Sequence, residues 1–539
     1  MDYNKSLYEV VVETHKNYKN DPALYFENHH ISYDKLLKEI DKIASVLTSF
    51  NVKPKDVVTV CMPNMPQAIY AMYAINKIGA ICYEVHPKTT KDQMKEYLKR
   101  TNSKILLVID IFAKNFVDIL DDVTIITFNP YVETSFIKRM YCDITSVKNN
   151  KINIYRYESL KKRYNIKTTI YKWNIYETSV LLNSGGTTGK GKIIELSTDS
   201  INKLASNGAD ILDMTDGRGI YMLAVLPLFH GFGLCMGIHA PLMYGACSNL
   251  MMKFNTKPTI KYLNKGYVNI IIGVPALFKA LLRNKKFHTT NLQKLKVAYV
   301  GGDFVSNDLV HEFNKVMEKY GSSARLFEGY GLTETVTVCS VNTFRNNKLG
   351  SVGQPVRYAR IKVVGLENRE DLGYNTLGEI AVSGDIIMNG YYQSDDLNSN
   401  VFIKDKDDVK WVLTGDYGYI DNDNYLYFKQ RLKRIVKVSG IIVCPSEVEH
   451  VTSTIDGVHS VYATSINDEE KDHMIYLFVV KDNKYNITDE ELTKNIKKVI
   501  ESKLSIYAVP KVVKYIDEMP RTEIGKIDGK ILDKLVTEE

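Results

Sequence analysis

Residues 184–192 read SGGTTGKGK: a serine, two threonines and two lysines set among four glycines. Glycine lets a backbone approach an anion closely and adopt positive φ. Free N–H groups and hydroxyls can donate to phosphate oxygens, and lysine adds a mobile positive charge. The chemistry this stretch suits is phosphate holding. It is not the P-loop pattern G-x-x-x-x-G-K-[ST]. Counting back from Gly189-Lys190 puts Ser184 at the first position, and Gly191 follows the lysine where Ser or Thr belongs. On this stretch alone, the competing reading is a flexible glycine turn between two strands.

Such a loop needs elements to aim it. Residues 178–182 form an apolar run that suits a strand, and the spacing over 198–212 predicts a helix. Strands are also expected at 57–62, 105–109, 123–127, 220–226, 268–274 and 296–300. Helices are expected at 7–20, 66–78 and from Pro275 to Leu282, with another after Ser32 as N-cap. This alternation implies a parallel sheet in an α/β layer architecture. Several strands run into turns bearing Gly or Pro: 227–233 (PLFHGFG), Gly301-Gly302 and 328–334 (EGYGLTE). Ligands of open α/β sheets bind at the carboxyl ends of strands, so these turns are expected on one rim. The stretch 141–172, rich in Lys, Asn and Tyr, reads as a surface connection. From Gly350 the segments become short and β-like (361–364, 378–382, 425–428), which suggests a small barrel or sandwich. Beyond 430–434, helices at 446–453 and 489–503 and strands at 459–466 and 473–480 suggest a compact α+β domain.

At 539 residues the chain is too long for one core, so two or more domains are expected. The net charge of +7 is spread thinly without a basic stripe, so nucleic acid is not an expected partner. Seven scattered cysteines with no C-x-x-C pair suggest neither a disulfide framework nor a zinc knuckle. With no apolar signal segment at the start, a cytoplasmic setting fits. Residues 219–252 carry no Asp, Glu, Lys or Arg, but prolines, glycines, His230 and His239 interrupt them. A buried strand, a turn and a core helix are expected there, and no transmembrane segment.

In order along the chain stand SGGTTGKGK (184–192), PLFHGFG (227–233), Gly301-Gly302, EGYGLTET (328–335) and GEIAVSG (378–384). MNGYY (388–392), TGD (414–416), QRLKRIVKVSG (430–440) and PRTEIGKID (520–528) follow. The ordered set, spanning nearly the whole chain, resembles the AMP-forming adenylating superfamily of acyl-CoA synthetases, aryl-CoA ligases, peptide-synthetase adenylation domains and luciferases. The resemblance implies an α/β fold with a large N-terminal domain (1–430) of layered α/β subdomains plus a small β-barrel-like subdomain. It further implies a hinge at 431–434 and a small, mobile α+β C-terminal domain (435–539) that acts as a lid.

The resemblance also implies roles. Ser184, Gly185, Gly186, Thr187, Thr188, Gly189 and Lys192 would embrace the β- and γ-phosphates of ATP. Glu334, with Thr187, would hold Mg²⁺, a hard cation that prefers oxygen ligands. Thr333 would contact the α-phosphate. Gly302, Glu328, Gly329 and Tyr330 would line the adenine slot. Asp416 would accept hydrogen bonds from the ribose hydroxyls and Arg431 would cover the ribose. Lys526 would bridge the substrate carboxylate and the α-phosphate, lowering the repulsion between two anions. His230 would stand beside the acyl carboxylate. Lys433 would be the pivot of the hinge, and Ser439 and Gly440 would line the pantetheine tunnel. Three positions depart from the family pattern: Gly185 for serine, Gly191 for proline and Gln430 for glycine.

The implied reaction is ATP-dependent activation of a carboxylic acid to acyl-AMP, then transfer to coenzyme A with release of AMP. A fatty acid is favoured over an aryl acid. No aspartate accompanies Phe229-His230-Gly231, which argues against an α-amino acid. Two alternatives stay open: loading of a carrier protein's phosphopantetheine thiol, and a nucleotide-binding member with weak catalysis.

Overall fold

The computed structural model describes residues 4–119, 121–132, 134, 137–140, 153–184, 191–212, 215–439, 441–468, 472–521 and 527–537. The chain divides into two compact units. One comprises Met1–Ile361 and Val382–Val412, the other Lys362–Ala381 and Leu413–Glu539.

The first unit is built on two sheets with helices packed against them. Among the described residues, one sheet has eight strands. Their order is Gly390–Tyr391, Ile193–Ser197, Thr178–Asn183, Ile81–Glu84, Val57–Cys61, Ile105–Ile109, Thr124–Phe128 and Ile154–Arg156. The run from Thr178–Asn183 to Ile154–Arg156 is parallel, and the two strands at the other end are antiparallel. Strands such as Val57–Cys61 and Ile105–Ile109 are buried along their whole length, which is why they read as continuous apolar runs.

The other sheet has nine strands among the described residues, with Tyr221–Ala224, Ile270–Gly273, Val297–Val300 and Leu326–Gly331 adjacent and parallel at its centre. One face packs on helices Thr256–Lys265, Pro275–Arg283 and Asn307–Lys319 through Leu263, Ile271, Phe278, Ala298 and Phe313. Alternation turns Met222, Ile272 and Tyr299 to the opposite face, toward the site.

Helix boundaries follow local chemistry. Ser32 accepts the N–H of Lys35 and caps Tyr33–Ser49, whose Leu36, Ile40, Ile43 and Leu47 are buried at helical spacing. Pro66 and Pro275 open helices where their missing N–H has no partner to lose. The uncharged stretch after Pro227 is a buried π-helix, Phe232–His239, that runs into Ala240–Met243. Its His239 lies in a fully buried polar pair of contacts, with Nδ1 2.9 Å from Tyr73 Oη and Nε2 2.8 Å from Asn202 Oδ1. Burial pushes this imidazole down to about 3, so it stays neutral. No helix of the described residues is long and apolar enough to cross a membrane.

The polar stretch after residue 141 is more ordered than expected. Its described part contains the edge strand Ile154–Arg156 and the helix Tyr157–Arg163. Tyr157 and Leu160 are buried there, and the Tyr157 ring stacks on Phe128 at 4.7 Å. Two anchors in a Lys-rich context are too few to produce a visible period.

In the second unit, a sheet places Val436–Val438 between Ile441–Val443 and Asp472–Lys481, with Val458–Asp468 and Val512–Tyr515 completing it. Its core gathers Val448, Ile475, Leu477, Leu492, Ile496 and Ile500, joining the sheet to helices Pro445–Ser453 and Asp489–Lys503.

Candidate active site

The strands Thr178–Asn183 and Ile193–Ser197 are antiparallel neighbours, and the glycine-rich segment joins them. Its base is closed by the Ser184 N–H, which donates to the Lys192 carbonyl at 2.9 Å. At the entry, buried Tyr83 donates its hydroxyl to Asn183 Oδ1 at 2.9 Å. Gly191 O accepts from Arg100 Nη1 at 2.8 Å, and a Cβ built on Gly191 meets only ordinary contacts. Gly185, Gly186, Thr187, Thr188, Gly189, Gly440 and Lys526 lie outside the described residues.

Lys192 leads to a residue that motif reading left without a role. Its Nζ lies 3.3 Å from Tyr391 Oη and 4.4 Å from that ring's centre. Tyr391 Oη donates to Glu334 Oε1 at 2.9 Å. A cation, a phenol and a carboxylate thus form one chain of contacts at the end of the glycine-rich hairpin. Tyr391 is held there because its short strand pairs with Ile194 and its N–H donates to Asn398 Oδ1 at 2.7 Å. The only signal in the sequence was its place in MNGYY.

Glu334 sits in a one-turn helix, Thr333–Thr335, fixed from outside by the Met388 N–H donating to the Glu334 carbonyl at 2.8 Å. Thr333 is buried beside it. The next residue, Val336, has φ 61° and ψ −58°, and the Thr337 N–H donates to Thr335 O at 2.6 Å. This is a γ-turn of the strained kind, centred on a β-branched residue. Such strain persists where surroundings over-determine it. Here Gly231 is the clamp: a Cβ at that position would stand 1.6 Å from Val336 O.

His230 is exposed at the start of the same segment, and its Nδ1 accepts the Phe232 N–H at 3.2 Å. In the neutral ring Nε2 then carries the proton and can donate. Gly302 is exposed with φ 76°, a conformation that favours glycine at the end of its strand. Gly329 and Tyr330 continue from the next strand, Leu326–Gly331. Glu328 lies beside them, its carboxyl pushed up to about 8 by burial. His230, Gly302, Gly329 and Tyr330 line one apolar cavity, together with Met222, Ile272 and Tyr299. The carboxyl ends of the parallel strands do share one rim around it, as expected from their turns.

The second unit carries its own polar site. Asp416 is fully buried, and Arg431 stands opposite it in the strand register with Nε 2.9 Å from Oδ1. Lys433 is exposed in the single turn Leu432–Arg434. Ser439 follows in the exposed turn after Val436–Val438, with φ 50°. Contacts straddle Lys433. Lys429 Nζ pairs with Glu447 Oε1 at 2.8 Å, the Ser446 N–H donates to Gln430 Oε1 at 2.8 Å, and Ser446 Oγ donates to Lys429 O at 3.0 Å. One residue further on, Arg434 is held by Glu449 at 2.6 Å and by the Ala463 carbonyl at 3.1 Å.

The sequence profile of the AMP-binding enzyme family matches residues 11–392, and that of the AMP-binding enzyme C-terminal domain matches 447–526. The chain is similar to a long-chain-fatty-acid–CoA ligase of Bacillus subtilis (strain 168), with 26% identity over 541 residues, 97% of this chain and 93% of that one. A 4-coumarate–CoA ligase of Vanilla planifolia is 27% identical over 502 residues, 91% and 86% of the two chains. Among solved structures, an anthranilate CoA ligase in complex with anthranoyl-AMP matches with a TM-score of 0.84 at 17% identity, covering 100% of this chain and 98% of that one. At that identity the likeness is one of fold.

Proposed function

The chain belongs to the AMP-binding enzyme family, and from that premise we propose that it is an acid–thiol ligase that joins an apolar carboxylic acid to coenzyme A. A carboxylate oxygen attacks the α-phosphorus of ATP, and the bond to pyrophosphate breaks, leaving acyl-AMP. The thiol of coenzyme A then attacks the acyl carbon, and AMP leaves. A fatty acid is favoured, because the cavity lining is mostly apolar and exposed His230 is the one charge-capable side chain among the described residues that line it.

The observation that carries this reading is the arrangement around one rim of the first unit. A donor nitrogen on His230 stands at the mouth of an apolar cavity, and the Lys192–Tyr391–Glu334 array closes the glycine-rich hairpin. The protein's part is position and charge neutralisation, the usual contributions to phosphoryl-type transfer. His230 orients the carboxylate, Thr333 contacts the α-phosphate and Lys192 meets the outer phosphates. Asp416 and Arg431 take the ribose. Lys526 is assigned the bridge between the two reacting anions, and Lys433 the pivot between half-reactions.

Glu334 fits a magnesium ion. Among the described residues no group of three His, Cys, Asp or Glu could hold a metal. Mg²⁺ is commonly held by one or two carboxylates plus phosphates and water, so a lone carboxylate beside a phosphate loop suits it. When bound, it supplies neutralisation of phosphate charge.

The test is ATP–pyrophosphate exchange with a panel of acids, followed by thioester formation with free coenzyme A or a holo carrier protein. Exchange that depends on acid and Mg²⁺, with coenzyme A as the better acceptor, is expected. Sustained absence of exchange with every acid would reduce the chain to a nucleotide binder.

A further inference from the structure

Lys192 meets Tyr391 only while its own backbone is held. Two peptide planes flank its α-carbon, and the soft dihedrals φ and ψ lie between them. The plane after Lys192 is tied because its carbonyl accepts the Ser184 N–H at 2.9 Å. The plane before it carries the Gly191 carbonyl, which accepts from Arg100 Nη1 at 2.8 Å. With both planes tied, the side chain leaves the backbone in one direction, and Nζ stands 3.3 Å from Tyr391 Oη.

Arg100 is itself well anchored. It ends the helix Lys91–Arg100, whose start is closed by a capping box between Thr90 and Gln93. Met94 and Leu98 of that helix lie in the core of the eight-stranded sheet with Val57, Ile81 and Leu106. Gly191 is the partner that needs a tie. A Cβ built there would meet Tyr97 Oη at 3.6 Å and Asn183 Oδ1 at 4.0 Å, both ordinary contacts. Its φ lies outside the left-handed region. Neither crowding nor a left-handed turn therefore requires glycine, and the residue puts conformational freedom next to Lys192. A charge-assisted hydrogen bond from a planar guanidinium is the kind of contact that removes it.

We propose that Arg100 is a positioning residue for the first half-reaction: it holds the Gly191 carbonyl and so aims Lys192 at Tyr391 and at the outer phosphates of ATP. This rests on the adenylating reading above and extends it to a residue outside every motif. Arg100 also stands in the last turn of its helix, where a cation suits the macrodipole. That role alone changes stability and leaves nucleotide affinity untouched, so the two roles are separable.

The experiment is ATP–pyrophosphate exchange and calorimetric titration with Mg·ATP on the wild-type chain, Arg100→Met, Lys192→Ala and the double variant, with a urea midpoint for each. Arg100→Met keeps an apolar stem and removes the donor. It should raise the KM for ATP roughly tenfold and leave kcat within about twofold. On the Lys192→Ala background the same change should cost less than about twofold, because the group it aims is gone. Thioester formation from supplied acyl-AMP should be spared. Gly191→Ala removes backbone freedom and should recover part of the Arg100→Met loss. Arg100→Lys keeps the charge at the helix end without the planar fork, so its rise in KM reads the same tie even if Arg100→Met fails to fold. A lowered urea midpoint with unchanged KM in both Arg100 variants leaves a helix-end cation and overturns the proposal. Equal losses with and without Lys192 overturn the aiming of that residue. No exchange by the wild type with any acid sinks the adenylating reading, and the titration still decides the tie: an ATP dissociation constant unchanged in Arg100→Met removes it.

Discussion

Tyr391 touches the two groups in the first unit that matter most for charge. Its hydroxyl takes a hydrogen bond from Lys192 and gives one to Glu334, so it orients a cation and a carboxylate at once. Outer partners of metal-binding carboxylates are typically worth roughly 10–100-fold in affinity or activity. Tyr391→Phe should therefore raise the Mg²⁺ concentration needed for half-maximal exchange by about tenfold. Thioester formation from supplied acyl-AMP should change little. Equal loss in both half-reactions would assign Tyr391 to packing alone. Glu84 makes a separate case at the same scale. It is fully buried, accepts one weak contact from the Cys82 thiol at 3.5 Å, and its Oε2 has no partner among the described residues. Burial pushes its carboxyl from 4.5 up to about 8. Between those values the unfolded chain releases a proton that the folded chain keeps. Stability must fall as pH rises across that window and level off above it. Glu84→Gln removes the slope, and its advantage over wild type should reach a few kcal/mol at pH 8 and vanish near pH 4. Urea midpoints at the two pH values check this.

At the scale of elements, the turn around Val336 and the segment around Gly231 are one device. The carbonyl of Val336 fills the space where a side chain at 231 would begin. Gly231→Ala must push that carbonyl away and disturb a turn that begins one residue after Glu334. A shift of about 1 Å near reacting groups can cost on the order of a hundredfold, and that loss is expected in exchange rate with the fold retained by circular dichroism. Much of the surrounding scaffold was legible in the sequence. The helices 198–212 and 489–503 were read to the residue, because their apolar stripes are long. The edge strand Ile154–Arg156 and the helix Tyr157–Arg163 were not, because two buried residues set no period. The same holds at the site. His230, Glu334 and Thr333 could be singled out because motifs mark them, and Asp416 of the second unit for the same reason. The strained turn, the π-helix and the bridging phenol were not, because each depends on which backbone atoms meet across distant segments.

For the whole molecule, the proposed cycle needs two settings of the C-terminal region about Lys433. That residue is exposed and makes its turn between two tethered neighbours. Proline there would lock φ at about −65° and forbid the change. Lys433→Pro should slow one half-reaction at least tenfold more than the other, on the scale of losing a gating motion. Uniform loss in both would point to damaged folding. Single-turnover assays of adenylation and thioester formation separate these results. Under this swing, the contacts from Lys429 and Gln430 to the helix Pro445–Ser453 belong to one setting only. If the C-terminal region swings as proposed, each catalytic round would tear these ties and knot them again, so the pause between the two chemistries would be timed by an amide and an ammonium.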